Sequence, residues 1–149
     1  MKLLLQRVDK ASVEVNNKIV GAIEKGLLVF VGFKKTDTKH EVDTLIDRLI
    51  KLRIMPDQEG QTKFTLHESN DSLLLVSQFT LYADCSNGTR PSFSDAMAGA
   101  QAKDLYDYMV IKLQTLFQSK LQTGVFAAYM KVSLVNDGPY TILLEKEAV

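Results

Sequence analysis

The feature that most constrains the fold is the run that follows Gly26: Leu27, Leu28, Val29, Phe30, Val31, Gly32 and Phe33. It is apolar without alternation. A strand that faces water on one side alternates apolar and polar residues, so this run reads as a strand buried on both faces. Leu27 to Val31 is far short of the roughly 20 residues that span a bilayer. Only Leu3, Leu4 and Leu5 are apolar together near the start, too few for a secretion signal. The expectation is therefore a cytoplasmic protein with no membrane partner. The chain has 149 residues, the length of a single domain over 1–149.

Other strands flank this run. Leu3 to Val8 reads as one. Ala11 to Val15 and Lys18 to Ile23 read as a hairpin, because Val13 and Val15 alternate with polar neighbours. Asn16-Asn17 suits a tight turn that needs positive φ. Val42, Leu45, Ile46, Leu49 and Ile50 form a helical stripe, and Thr38 stands three residues before Glu41, the spacing of a capping box. A long strand is expected over Leu73 to Tyr82. Ser92, three residues before Asp95, marks a second helix start, and Ala102, Leu105, Tyr106, Met109, Leu113, Leu116 and Phe117 give its stripe. Strands over Lys131–Val135 and Thr141–Glu145 bracket a turn at Asn136-Asp137-Gly138-Pro139. The pattern is α+β: largely antiparallel strands with two main helices.

Familiar catalytic signatures are missing. His40 and His67 are not at metal-ligand spacing and read as exposed bystanders. Cys85 has no basic neighbour to activate it, and a single cysteine cannot form an internal disulfide. Eighteen basic and eighteen acidic residues give a net charge of zero, which argues against a protein that coats nucleic acid but allows a local contact with an RNA end.

Three segments break local rules. Ser77-Gln78-Phe79-Thr80-Leu81 puts two adjacent polar residues after Leu73–Val76. Adjacent strand residues point to opposite faces, so both cannot lie on one wet face. A functional site and a strand emerging into solvent are both open readings. Asn87-Gly88-Thr89-Arg90-Pro91-Ser92-Phe93 offers a hydroxyl and a cation, or is an ordinary loop. Asn136-Asp137-Gly138-Pro139 is a turn whose proline cannot donate to the strand it opens.

Taken together, these segments resemble the D-aminoacyl-tRNA deacylase family. Its motifs stand here as Ser77-Gln78-Phe79-Thr80-Leu81, Arg90-Pro91-Ser92-Phe93 and Asn136-Asp137-Gly138-Pro139-Tyr140-Thr141. Further similarity covers Gln6-Arg7-Val8, Ala11-Ser12-Val13 and Met130–Val135. Tyr140 replaces the usual valine, Tyr129 stands where aspartate is common, and Lys63–Asn70 matches poorly.

The resemblance implies a compact barrel-like domain, a homodimer with active sites at the interface, and no metal or organic cofactor. The substrate would be D-aminoacyl-tRNA, with glycyl-tRNA tolerated and L-aminoacyl-tRNA rejected. Ser77, Gln78 and Thr89 are the expected catalytic group. Phe79 and Thr80 would bind substrate, as would Gly138 and Pro139, reaching across from the partner subunit through a cis peptide.

The ester is already activated, so the catalyst must stabilise an oxyanion and position an attacking group. Thr89 has no evident base to make it a nucleophile. The ribose 2′-OH assisting a water is the preferred chemistry. A threonine esterase or amidase and a non-catalytic dimeric binding module are the competing readings.

Overall fold

The computed structural model describes residues 1–148. Its elements are β1 (Lys2–Val15), β2 (Lys18–Ile23), β3 (Gly26–Gly32), α1 (Lys39–Lys51), β4 (Met55–Pro56), β5 (Thr62–Phe64), α2 (Leu66–Ser69), β6 (Ser72–Ser77), α3 (Gly99–Phe117), β7 (Leu121–Thr123) and β8 (Lys131–Glu145), with 3₁₀ turns at Phe79–Tyr82 and Gln118–Lys120. Six strands form one sheet in the order β2-β1-β3-β6-β7, with β8 on the free side of β1; β4 and β5 make a small separate ribbon.

β1 organises the sheet. Its first half pairs antiparallel with β3, its second half with β2, and its opposite edge with β8. The expected break between Leu3–Val8 and Ala11–Val15 does not occur. The charged pair Asp9-Lys10 is absorbed at a register shift, and β1 runs through. Asn16 and Asn17 do make the turn, at φ of 50° and 64°.

β3 meets the expectation of burial on both faces. Leu27, Val29 and Val31 enter the main core, which α1 and α3 cover, while Leu28 enters a second cluster with Val8, Val13, Ile23, Leu74 and Val76. Burying each such side chain contributes about 1.5–3 kcal/mol. β6 repeats the arrangement, with Leu73 and Leu75 on one side and Leu74 and Val76 on the other.

The β3–β6 and β6–β7 pairs are parallel. The antiparallel reading thus covers only the β1 half of the sheet. β2 curls round to β7, where a Cβ on Gly21 would lie 2.5 Å from the Thr123 carbonyl oxygen, so the sheet is nearly closed into a barrel.

Two segments depart from the sequence reading. The strand that begins at Ser72 ends at Ser77, not Tyr82, and the chain turns into a 3₁₀ helix. α3 starts at Gly99 rather than near Ser92. Its buried side chains are Ala102, Leu105, Tyr106, Met109, Leu113 and Phe117, whereas Leu116 stays exposed.

The capping box at α1 forms as its spacing suggests. The Glu41 carboxylate accepts from the Thr38 backbone N–H and hydroxyl, both at 2.7 Å, and the Thr38 hydroxyl accepts from the His40 N–H at 3.2 Å. Burial works against charge on Glu41, but the Thr38 bonds outweigh it and hold the carboxyl below its usual range. The cap is therefore intact above the ordinary carboxylate range and is lost as pH falls through the lowered value. Thr38→Ala is expected to cost about 1 kcal/mol, read as a shift in urea midpoint at constant m-value.

Candidate active site

A pocket of about 440 Å³ opens where β3 and β6 end. Val31 and Phe33 form one wall, Val76 through Phe79 a second, and Met97, Gly99 and Ala102 the α3 side. The remaining wall is Phe126 through Met130 with Val132, the segment that links β7 to β8.

The polar pair Ser77-Gln78 is placed by a backbone change of direction. The Gln78 N–H donates to the Val31 carbonyl at 2.7 Å, which holds the chain beside β3 for one more residue. The Leu81 N–H then turns back to the Gln78 carbonyl at 3.3 Å. Gly32 permits this packing, because a Cβ there would lie 2.9 Å from the Gln78 carbonyl oxygen and 3.0 Å from Cβ of Leu81. The Ser77 hydroxyl accepts from the Ala127 N–H at 3.4 Å, joining the two walls. The Gln78 amide donates to the Thr80 hydroxyl. Ser77, Gln78 and Phe79 line the pocket; Thr80 is exposed just beyond them.

Tyr129 is the pocket's sole ionisable side chain among the described residues. Under the floor, Tyr106 packs its ring 5.2 Å from that of Phe126, and burial pushes its phenol up to about 12. The site therefore offers hydroxyls, an amide, backbone N–H groups and apolar walls, with no imidazole, thiol, amine or carboxylate on its lining.

Thr89 lies elsewhere. It sits on an exposed loop, and neither it nor its neighbours line the pocket. The loop approaches the mouth through Phe93, whose ring meets that of Phe79 edge-on at 5.1 Å. His40 and His67 are both exposed as expected; His67 belongs to α2 and stacks on Phe117 at 4.4 Å.

Gly138 and Pro139 are also apart from the pocket of their own chain. No turn separates two strands here; β8 is continuous, and Asp137 through Tyr140 form an outward excursion opposite Arg7 alone. The Gly138-Pro139 bond is cis, and both residues are exposed. From Val132 on the pocket wall to Asn136, where the excursion begins, β8 runs four residues, about 13 Å.

The anchor of the excursion is Arg7, a residue that the strand pattern alone did not single out. It is 8% exposed. Its guanidinium donates to the carbonyls of Asp137 at 3.1 Å and Ile54 at 2.9 Å, and pairs with the Asp137 carboxylate at 3.4 Å. The Tyr140 ring lies 4.7 Å from it and packs against the main core. Tyr140 thus supports the excursion from beneath, and the available signal was a cation in phase with Leu3 and Leu5 on the buried side of β1.

Residues 4–145 match the family model described as D-Tyr-tRNA(Tyr) deacylase. A D-aminoacyl-tRNA deacylase of Thermosipho melanesiensis is 46% identical over 149 residues, covering 100% of this chain and 99% of its own. One of Cellvibrio japonicus is 49% identical over 144 residues, covering 97% and 98%. Among solved structures, the c-Myc DNA unwinding element binding protein superposes with a TM-score of 0.93 at 35% identity, covering 99% of this chain and 100% of that one. A structure described as a probable eukaryotic D-amino acid tRNA deacylase shares the fold, with a TM-score of 0.85 at 18% identity.

Proposed function

Since the chain belongs to the D-Tyr-tRNA(Tyr) deacylase family and is a hydrolase of D-aminoacyl-tRNA, we propose that it works in the cytoplasm as a homodimer whose two pockets are each completed by Gly138-Pro139 of the partner. The observation that carries this reading is the pocket's uncharged lining. A site without a side-chain base must draw its chemistry from the substrate and from fixed dipoles.

The terminal ribose supplies a 2′-OH beside the ester, and a water completes hydrolysis. The Ser77 and Gln78 side chains and the backbone N–H groups of Phe79 and Thr80 hold the developing oxyanion; loss of one comparable donor costs about 10²–10³-fold in rate. Phe79, exposed at the mouth, offers a stacking face for the terminal adenine, with Thr80 beside it. Thr89, remote from this lining, serves in the approach of the RNA rather than as a nucleophile.

Dimerisation accounts for β8. Not one of its fifteen residues is fully buried, although Val132, Leu134, Tyr140, Ile142 and Leu144 pack inward. Val135 and Leu143 add exposed apolar surface on the same strand. A second copy laid there covers this surface and carries an outward excursion towards the opposite pocket.

The excursion then acts as a fixed obstacle. L and D esters carry the same groups, so attraction alone discriminates poorly and a rigid block is needed where the L side chain would go. Glycyl esters have no side chain to collide and pass. Purified protein is expected to cleave D-Tyr-tRNA and Gly-tRNA and to leave L-Tyr-tRNA intact. Equal rates on D- and L-Tyr-tRNA would remove the obstacle from the account.

A further inference from the structure

Four arginines occur in the chain, and three are occupied. Arg7 holds Asp137, Arg48 donates to the Glu145 carbonyl at 3.3 Å, and Arg53 pairs with Glu68 at 2.8 Å. Arg90 makes no hydrogen bond or ion pair among the described residues. It is exposed, on a loop whose residues 85–91 are all exposed.

That loop has a defined neck. Asp84 and Ser92 exchange two backbone hydrogen bonds, at 2.8 and 2.9 Å. The acidic groups at its base are engaged: Asp84 accepts from the Ser86 N–H at 2.9 Å, and Asp95 pairs with Lys35 at 2.9 Å. Phe93 fastens the loop to Phe79 on the pocket wall. Arg90 is three residues from Phe93, at most about 10 Å of chain.

The pocket holds no cation, and the chain has no net charge to attract RNA at large. A polyanion threaded to this mouth would meet one free guanidinium beside it. We propose that Arg90 grips a backbone phosphate of the tRNA 3′ strand just before the terminal adenosine, as a positioning residue that sets RNA affinity and takes no part in ester cleavage. The proposal rests on the deacylase reading above and adds the RNA contact to it.

The test compares two substrates: D-Tyr-tRNA, and D-tyrosyl-adenosine, which carries the ester and base but no phosphate. For Arg90→Gln, KM for D-Tyr-tRNA is expected to rise about 5–10-fold with kcat within about twofold, and the slope of log kcat/KM against log salt to fall by about one. Arg90→Lys should recover most of the KM, because lysine keeps the charge and binds phosphate as a point charge. Rates on D-tyrosyl-adenosine should not change. An unaltered KM and salt slope on tRNA would overturn the proposal, as would an equal loss on both substrates, which would place Arg90 in the pocket or the dimer contact. Wild-type protein that cleaved neither substrate would remove the deacylase reading itself.

Discussion

Replacing Gly26 by alanine is expected to lower the unfolding free energy by about 3 kcal/mol and the melting temperature by about 6–12 °C. Gly26 is the first rung of the parallel β3–β6 pair, opposite Ser72. A Cβ there would lie 1.8 Å from the Ser72 carbonyl oxygen, 2.7 Å from its carbon and 2.9 Å from its nitrogen. All three are backbone atoms, so no side chain can swing aside, and the strands must part. The rungs that follow place Leu73 to Val76 in two cores at once, so the parting is felt on both faces. Gly99→Ala is the matched control. A Cβ at Gly99 meets nothing within 4 Å, and alanine favours the helix, so a gain of up to about 1 kcal/mol is expected. Equal midpoints for the two variants in urea would show that the β3–β6 approach is looser than described.

The second large effect concerns which chain supplies Gly138. Its φ of +134° is one that L side chains rarely adopt, and a Cβ would lie 2.8 Å from the Tyr140 nitrogen. Gly138→Ala should therefore distort the excursion while the strands on either side stay paired. L-Tyr-tRNA is then expected to be cleaved about tenfold faster or more, a loss of about 1.4 kcal/mol of discrimination. Gln78→Ala, with a damaged pocket and an intact excursion, should lose about 100-fold on D-Tyr-tRNA.

Co-assembly of Gly138→Ala with excess Gln78→Ala decides the arrangement. If each pocket is completed across a dimer, the one working pocket of a mixed dimer belongs to the Gly138→Ala chain and faces the intact excursion of its partner. L-Tyr-tRNA cleavage should be suppressed while D-Tyr-tRNA cleavage persists. If L-cleavage survives mixing, the excursion acts within its own chain.

Much of this architecture was legible locally. The unbroken apolar run of β3, the Thr38–Glu41 cap and the Asn16-Asn17 turn each depend on nearby residues, and each stands as its pattern implies. What was hidden depends on distant partners. Ser77 ends its strand because Gly32, from another strand, leaves room for the Gln78–Leu81 turn. Asn136-Asp137-Gly138-Pro139 reads as a hairpin turn until β1 is seen to pair with residues on both sides of it. Ser92 and Asp95 have the spacing of a helix start, yet the chain there is held by Asp84 and Lys35 instead. At the site, Ser77 and Gln78 were visible as polar residues interrupting an apolar strand, with Phe79 directly after them. The Phe126–Met130 wall carried no such signal, since its residues become a wall only when the sheet curls.

β8 pairs with β1 along one side only, which leaves its other side, in the single chain, as the longest row of unpaired backbone groups among the described strands. Such a row invites strand addition from any neighbouring chain and is a common starting point for fibrils. Here the excursion cuts it into two short runs, Lys131–Asn136 and Thr141–Glu145, separated by a proline that has no N–H to offer. The same excursion thus also guards the protein against self-templated aggregation, and a chain whose β8 was straightened through this point is expected to precipitate at lower concentrations than the wild type.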